Sequence, residues 1–481
     1  MTQALQPGVP RRRRALFGLL DADGWGWASL KAFFWFVVII FVLGYIPDRA
    51  YYFTVNKTLD LGILAWSPVN LCPPSNRTLP CPAPAGSVVP WQPSPSEIAL
   101  PEARTDGTLV TVGTKLLFIG GTDGSKASDK VFVAETVSPG SFDKWTEGPK
   151  LPASRAGAAV TSFGGAIYVS GGVDENGEPT KTTFVLTPNL STGDLGKWQS
   201  ADELKQSLDL PVARTDGSLV ALADGLLFVG GEGPDGVTST TWKSTLDKSV
   251  LGEWKKQADL AAPVADASSA LVGNFVWIYG GRDTKGPVAG VERGAVATSG
   301  DQQGQVTQWG LNNGQNLPAP RTNAVGFVSN GTIYLVGGND GNGSRGEVYW
   351  TVPSSGANGD QLAEWKHLSV DDLPAPGLEG GSASVSGATV FITGGKRDAD
   401  VVRDSVRADL APQEPFFQLG LVGAVVPALK IDGELGQQLG YLNAAGAGTV
   451  TFIALLLIGW AYAHKERTRQ LFERMRGRRR R

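Results

Sequence analysis

Histidine, cysteine and methionine are almost missing from this chain, whose 481 residues include two of each. His367 and His464 are too few to ligate zinc or copper, and neither provides a suitably placed base for a catalytic triad. We therefore predict no metal, no cofactor and no catalytic residue. Acid–base chemistry by Asp, Glu or Arg stays open, so the sequence argues against an enzyme without excluding one.

Positive charge is scarce in the middle of the chain and concentrated at its ends. Residues 86–425 carry 25 Lys and Arg against 38 Asp and Glu, a net charge of −13. The first 31 residues carry a net charge of +3 and the last 18 carry +7. Because phosphate backbones bind to basic faces, the composition disfavours a nucleic-acid partner for the central region, and we predict none.

Two apolar runs, 30–47 and 441–463, predict transmembrane helices in a lipid bilayer; the uncharged core of the first is short for a span, so we expect that helix to extend back through GWGWAS (24–29). The basic segments outside them, 1–29 and 464–481, are predicted to be cytoplasmic by the positive-inside rule. These features predict a two-pass protein of the cell membrane, with both termini inside and the chain between the spans extracytoplasmic. A cleaved signal peptide is the alternative for the first run, but no small-x-small cleavage pattern follows it.

Two further segments lie next to the predicted spans. Segment 48–87 is a Pro-rich linker that holds Cys72 and Cys81, an isolated pair in an exported loop. We predict a disulfide between them rather than two free thiols. Segment 412–440 is a juxtamembrane apolar stretch, which suits the membrane surface or a contact with another membrane subunit.

Glycine, by contrast, is abundant, and glycine pairs recur along the chain. A short apolar run ends in Gly-Gly six times, at intervals of 50 to 59 residues, which is the period of a propeller or a solenoid. Each run follows another apolar strand and a tight turn, and a third strand and a tryptophan come after it. One copy, at 231–236, reads G-x-G-x-x-G, but no helix follows it, which excludes a dinucleotide-binding loop. The six runs are LLFIGG (116–121), AIYVSGG (166–172), LLFVGG (226–231), FVWIYGG (275–281), TIYLVGG (332–338) and TVFITGG (389–395).

The repeat resembles the Kelch family, in which Gly-Gly ends the second strand, a tryptophan follows later, and an exit segment such as KLPASR or NLPAPR leads onward. The resemblance implies an all-β fold, a six-bladed Kelch-like β-propeller over 88–411 with one transmembrane helix before it and one after it. The sixth repeat lacks a tryptophan strand, and an unassigned one lies at 88–107. We predict that this N-terminal strand completes the last blade, so that both membrane tethers leave from the face opposite the exit segments.

The exit segments carry polar residues that a propeller brings to the mouth of its central channel, on the face we call upper. In Kelch-type adaptor propellers, arginines at these positions contact acidic peptides, and the resemblance implies that role here. The alternative is that the arginines bond neighbouring loops and hold the ring together. Turn formation explains the acidic loops after the glycine pairs without calcium. The candidate ligand-binding residues are Arg104, Asp106, Arg155, Arg214, Asp216, Asp266, Arg321, Asn323 and Glu379.

Three functions fit these features. The first is a binding module whose upper face recognises a protein partner or a glycan. The second, by resemblance to the six-bladed bacterial sialic-acid mutarotases, is a sugar-processing enzyme that uses carboxylates at the channel mouth. The third is an accessory subunit of a larger membrane complex, held by its two spans and the segments beside them.

Overall fold

The computed structural model describes residues 34–35, 86, 88, 91–93, 98–138, 141–247, 250–311, 315–353, 361–386 and 389–410. Cys72, Cys81, the segment 412–440 and the span 441–463 lie outside these residues, as does the span 30–47 apart from Phe34 and Trp35. Within the described ranges, no helix is both long enough and apolar enough to cross a bilayer. The structure therefore supports the all-β propeller and gives no support to the two predicted membrane helices or to the disulfide.

Six antiparallel sheets make up the propeller, which lies in one compact unit, Gly86–Gln413. In each blade the first strand lies innermost, and the first strands of neighbouring blades contact one another around the whole ring. The upper face holds the start of each first strand and the loop after each glycine pair. The lower face holds the hairpin between the first and second strands. The six repeats predicted from the sequence are confirmed as six blades.

The first strand of the chain, β1 (Gln92–Pro93), belongs to the last blade, and the first three blades follow it. Blade 1 contains β2 (Thr105–Val112), β3 (Lys115–Thr122), β4 (Val131–Ser138), β5 (Ser141–Phe142) and β6 (Thr146–Glu147). Blade 2 contains β7 (Ala159–Phe163), β8 (Ala166–Ser170), β9 (Thr183–Leu186) and β10 (Gln199–Ser200), followed by the short helix α1 (Ala201–Leu204). Blade 3 contains β11 (Ser218–Leu222), β12 (Gly225–Val229), the loop hairpin β13 (Glu232–Gly233) and β14 (Gly236–Val237), then β15 (Thr241–Asp247), β16 (Val250–Leu251) and β17 (Lys255–Lys256).

The last three blades repeat the arrangement. Blade 4 contains β18 (Ser268–Val272), β19 (Phe275–Tyr279), the loop hairpin β20 (Arg282–Asp283) and β21 (Gly286–Pro287), then β22 (Val291–Val296) and β23 (Val306–Leu311). Blade 5 contains β24 (Val325–Ser329), β25 (Thr332–Val336), β26 (Val348–Thr351) and β27 (Lys366–His367), followed by a 3-10 turn (Ser369–Asp371). Blade 6 contains β28 (Ser382–Ser386), β29 (Thr389–Thr393), the loop hairpin β30 (Lys396–Arg397) and β31 (Asp400–Val401), then β32 (Ser405–Asp409) and β1.

The hydrophobic core lies between the blades rather than inside any one of them. Second strands such as β12 and β25 are buried along their whole length, because a neighbouring blade covers each side of the sheet. This explains why they read as continuous apolar runs instead of alternating ones. Phe118 of blade 1 and Phe391 of blade 6 share one cluster, so apolar packing continues across the junction between the first and last blades.

In five of the six blades a tryptophan fastens the outer edge of the blade to the chain segment that precedes it; in blade 4 the indole N–H of Trp309 has no hydrogen-bond partner among the described residues. The indole N–H of Trp145 donates to the carbonyl of Ile98 at 2.9 Å, and that of Trp198 donates to Pro149 at 2.9 Å. Trp91 makes the equivalent bond to the carbonyl of Asp371 at 2.8 Å. Burial of the ring together with a satisfied N–H is the arrangement expected of a structural tryptophan.

The ring closes as the sequence predicts, because β1 pairs with β32 as the outer strand of blade 6. Gln92 lies opposite Arg407, and Val88 bridges to Leu410. The amide of Val88 also donates to the buried carboxylate of Asp371 at 3.1 Å. Val88 and Leu410 both lie at the lower face, so the propeller begins and ends on the same side.

The glycine pairs are the joints between blades. In blade 2, the amide of Gly172 donates to the carbonyl of Arg214 in blade 3 at 2.7 Å. Gly171 has φ +69, and a Cβ there would stand 2.3 Å from the same carbonyl oxygen. Only glycine allows that backbone approach. The same bond recurs at every junction, from Gly121 to Arg155, Gly172 to Arg214, Gly231 to Val264, Gly281 to Arg321, Gly338 to Leu378 and Gly395 to Arg104.

Candidate functional site

Six residues, one from each blade, form a ring around the mouth of the central channel on the upper face. Each stands just before or at the start of a first strand and has a left-handed backbone, with φ between 50° and 63°. Backbone hydrogen bonds of 2.8–3.0 Å link neighbours, as from Gly157 to Asp106 and from Asp216 to Gly157. We call this set the channel ring; its members are Asp106, Gly157, Asp216, Asp266, Asn323 and Gly380.

The channel ring explains why the sequence places Asp, Asn or Gly at this position. These are the residues that adopt left-handed backbone most readily. The ring residues line a small cavity of about 150 Å³ at the channel mouth. Of the nine candidate residues, the structure brings Asp106, Asp216, Asp266 and Asn323 together here.

One arginine from a neighbouring loop binds the carboxylates on one side of the channel ring. Arg282 Nε lies 2.5 Å from Asp266 Oδ2, and its Nη2 lies 2.5 Å from Glu232 Oε2 and 3.5 Å from Asp216 Oδ2. Arg282 is the first residue after the glycine pair of blade 4, and Glu232 holds the same position in blade 3. A single guanidinium thus bonds three carboxylates from two blades, which is the geometry that its planar fork favours.

Asp106 stands on the other side of the channel ring without such a partner. Among the described residues no cation lies within ion-pair distance of its carboxylate, which accepts only the hydroxyl of Thr105, at 3.3 Å. Enclosure by protein raises the pKa of Asp106 to about 6, and the nearby charge of Asp266 adds to this effect. The Thr105 hydroxyl and the more distant Lys396 oppose it.

The other two ring aspartates have raised pKa values for the same main reason. Desolvation raises the pKa of Asp216 well above its ordinary range, and the charges of Asp266 and Asp106 raise it further. Desolvation also raises the pKa of Asp266, while the charge and hydrogen bond of Arg282 oppose the increase. Clustered, desolvated carboxyls of this kind are common at binding and catalytic sites.

A larger cavity, of about 370 Å³, opens on the upper face between the loops of blades 1 and 2. Its floor includes the ring residues Asp106 and Asp216, with Gly157 between them. Asp174 and Glu175 line its wall, and Lys126 is the cation in the lining. The volume lies within the range of small-molecule and side-chain pockets. We call it the upper-face cavity.

The four exit arginines lie inside the blades rather than at the channel mouth, with relative exposures of 2–6%. Arg214 stacks over Trp242 at 4.8 Å from the ring centroid and donates to the Thr240 hydroxyl at 3.1 Å. Arg321 lies 5.7 Å from the centroid of Tyr349 and donates to Glu347 at 2.9 Å. Both side chains contact groups of their own blade, which favours a structural role within the blade and differs from the predicted bonds to loops of neighbouring blades.

The other two exit arginines repeat the pattern. Arg155 lies 4.9 Å from the ring centroid of Phe184 and bonds the hydroxyl of Thr182. Arg104 bonds Glu102 and lies 3.2 Å from the Ser128 hydroxyl. In blades 4 and 6 the same position holds Val264 and Leu378, both buried. The position is therefore a packing site that accepts either an aliphatic side chain or an arginine.

Glu379, the last candidate, is buried next to the channel ring rather than in it. Its carboxylate accepts the Ser344 hydroxyl at 3.0 Å and lies 3.5 Å from Lys396 Nζ. Sequence reasoning missed Arg282 and Glu232, which the structure adds to the channel mouth. Their position directly after a glycine pair was the available signal.

The structure identifies no metal site among the residues that it describes, since no group of three or more His, Cys, Asp or Glu side chains there has a suitable arrangement. His367 instead pairs with Asp372, its Nε2 lying 3.0 Å from Oδ1, on the outer strand of blade 5.

Comparison with known proteins agrees with this architecture. The Kelch motif model matches residues 154–192, which run from the exit segment of blade 2 through its third strand. The chain is a six-bladed β-propeller that contains a Kelch motif. It is similar to the Kelch repeat protein M-T8 of Myxoma virus (strain Lausanne), with 27% identity over 50% of this chain and 42% of that protein. It is also similar to beta-scruin of Limulus polyphemus, with 28% identity over 30% of this chain and 15% of that protein.

A solved structure supports the fold of this propeller. The structure of YjhT matches with a TM-score of 0.50 and 14% sequence identity, over 64% of this chain and 96% of that one. At this identity the likeness concerns the fold alone. The alignments with M-T8 and beta-scruin span less than half of either protein's length.

Proposed function

We propose that this Kelch-repeat propeller is a membrane-anchored, extracytoplasmic binding module that holds a protein partner at its upper face. The observation that carries the proposal is the upper-face cavity, which opens on the ring carboxylates Asp106 and Asp216. Kelch propellers typically serve as interaction modules, and the buried exit arginines leave the cavity and its loops as the chemically active part of this face. A glycan is the alternative ligand of the same cavity.

The membrane part of the proposal rests on the sequence. The apolar runs 30–47 and 441–463 are flanked on their outer sides by basic tails, which favours cytoplasmic termini. The propeller begins and ends on its lower face, at Val88 and Leu410. Both of these ends therefore lie on the side of the propeller away from the upper-face cavity.

Epitope tags test the topology. One tag is placed at the N-terminus and another in the exposed turn around Thr192, and antibody binding is measured on intact and on permeabilised cells. We expect the Thr192 tag to bind antibody on intact cells and the N-terminal tag to bind only after permeabilisation. Binding at Thr192 only after permeabilisation contradicts the extracytoplasmic location.

Site-specific photo-crosslinking tests the binding face. A photoreactive residue replaces Asn176, on the upper loop of blade 2, or Thr192, on the lower turn of the same blade; both positions are exposed. We expect Asn176 to crosslink one polypeptide in high yield and Thr192 to give little product. Crosslinking from Thr192 alone indicates the accessory-subunit function through the lower face, and no product from either position contradicts a protein partner.

A sugar-processing enzyme of the mutarotase type is the second candidate, and one observation favours it. The carboxyl of Asp106, with a pKa of about 6, has the acidity of a general acid–base group at neutral pH. Incubating the purified chain with pure anomers of reducing sugars and following equilibration by NMR tests this function. Acceleration that is lost in Asp106→Asn supports an enzyme, and unchanged equilibration excludes the activity for the sugars tested.

A further inference from the structure

One sector of the channel mouth already holds a guanidinium group. Arg282 lies among Asp216, Asp266 and Glu232, within 2.5–3.5 Å of each. These are two ring carboxylates and one loop carboxylate, contributed by blades 3 and 4. The protein itself therefore shows which chemical group fits between carboxylates at this face.

The cation comes from a position that varies between blades. The residue directly after the glycine pair is Arg282 in blade 4 and Lys396 in blade 6, where Lys396 lies near Glu379. In blades 1 and 2 the position holds Thr122 and Val173, which carry no charge and line the upper-face cavity. The sector between blades 1 and 2 therefore has no cation of its own at this position.

The same sector nevertheless has the carboxylates. Two ring carboxylates, Asp106 and Asp216, and two loop residues, Asp174 and Glu175, surround the upper-face cavity. Gly157 stands between the ring aspartates, and a Cβ there would lie 2.3 Å from Asp216 Oδ1. Glycine thus keeps the space between the two carboxylates open. Lys126 in the lining is exposed on its loop and lies within ion-pair distance of no acidic side chain in the described part of the chain.

We propose that the upper-face cavity binds the guanidinium or ammonium group of an arginine or lysine side chain supplied by the partner, in the way that Arg282 occupies the neighbouring sector. This inference rests on the proposed function and names the chemistry of its site. It opposes the acidic-peptide ligand implied by the family resemblance, because like charges at this cavity repel. Charge-assisted bonds to several carboxylates are the interactions that a guanidinium favours most.

Binding of such a cation depends on pH in a defined direction. The pKa of Asp106 is raised to about 6 in the free protein, and a bound cation favours the ionised form. We expect binding to weaken about tenfold from pH 7.5 to pH 5, where a carboxyl of this pKa is about one-tenth ionised. The groups that face Asp106 or the cavity are Thr105, Asp216, Asp266, Glu379, Lys396, Asp174, Glu175 and Lys126.

Titration with a pair of peptides tests the proposal on the full chain in a nonionic detergent. The probe is acetyl-Gly-Arg-Gly-amide, and its control is the same peptide with citrulline, which has nearly the same shape and no charge. We expect saturable binding of the arginine peptide and at least tenfold weaker binding of the citrulline peptide. Equal binding of both, or no saturation of the arginine peptide in the millimolar range, overturns the proposal.

Three variants locate the site. We expect Asp106→Asn to weaken binding of the arginine peptide at least tenfold, and Glu175→Gln, on an exposed loop, to weaken it about threefold. Asp194→Asn removes an exposed carboxylate on the lower turn of blade 2 and leaves binding unchanged. Unaltered binding in the first two variants contradicts the location. Photo-crosslinking at Asn176 is independent of these titrations. If it captures a partner while the arginine peptide does not bind, the proposed cation site is wrong and the proposed binding function stands.

Discussion

Two polar residues in the exit segment before blade 3 have opposite environments. Arg214 is buried in blade 3, stacked on Trp242, whereas Asp216 two residues later faces the channel mouth. Asp216 has a left-handed backbone, with φ 56, so the chain turns where it reaches the channel mouth. The arginine therefore contributes to the stability of the blade, and the aspartate lines the channel mouth.

Substitution of Arg214 separates these two roles. Arg214→Ala removes the stacking on Trp242 and the bond to Thr240, and we expect a loss of about 2–3 kcal/mol in the free energy of unfolding. Arg214→Met retains the aliphatic stem and costs about half as much. Denaturant unfolding measures both. Arginine-peptide binding stays the same in the two variants, and weaker binding without lower stability would instead place Arg214 in the ligand site.

The ring aspartates also predict how stability depends on pH. Because the pKa of Asp106 is raised to about 6, the folded chain holds this proton more tightly than the unfolded chain does. Stability from this group is therefore present at about pH 4 and is lost as the pH rises to about 6. Asp106→Asn should be about 1–2 kcal/mol more stable than the wild type at pH 7.5 and no more stable at pH 4.

Asparagine suits the test because Asn323 adopts the same left-handed backbone at the equivalent position of blade 5. Thermal unfolding of both proteins across this pH range measures the difference. If the variant is less stable than the wild type at pH 7.5, the Asp106 carboxylate is not desolvated in the folded protein.

At the scale of the element, the joint between blades is the Gly-Gly that ends each second strand. We expect Gly171→Ala to cost at least about 3 kcal/mol, because its Cβ would stand 2.3 Å from the Arg214 carbonyl oxygen in blade 3. Gly164 provides the matched control, since it also has a left-handed φ, +60, but has nothing within 4 Å of an added Cβ. Gly164→Ala costs about 1 kcal/mol, from backbone strain alone. Equal losses would show that the close approach is unimportant.

The strands and their order could be predicted from the sequence, whereas the positions of the exit side chains could not. Apolar runs before Gly-Gly depend on burial on both sides of a blade, which leaves a local signal in the sequence. The backbone at Asp216 is left-handed and interrupts the alternation of a strand. The sequence pattern of a strand therefore does not predict which way the Arg214 side chain faces. Arg282 was missed because its role depends on carboxylates contributed by two blades that are far apart in the sequence.

At the scale of the whole molecule, noncovalent pairing of β1 with β32 closes the ring. Trp91→Ala and Trp145→Ala remove equivalent buried tryptophans, and each should cost about 3–5 kcal/mol. The two substitutions should destabilise different blades. Trp91→Ala should speed amide hydrogen exchange in β32, because its outer neighbour in blade 6 is released, and leave β4 protected. Equal acceleration in β4 would mean that the ring opens at no preferred blade.

The most direct test combines Asp106→Asn with photo-crosslinking from Asn176 in the full chain. If the upper-face cavity binds a cationic side chain of a partner, the variant melts at a higher temperature than the wild type at pH 7.5 and captures much less of the partner. Asp194→Asn, measured alongside, captures as much as the wild type. A variant that melts at a lower temperature, or that captures the partner undiminished, would contradict a binding site at Asp106.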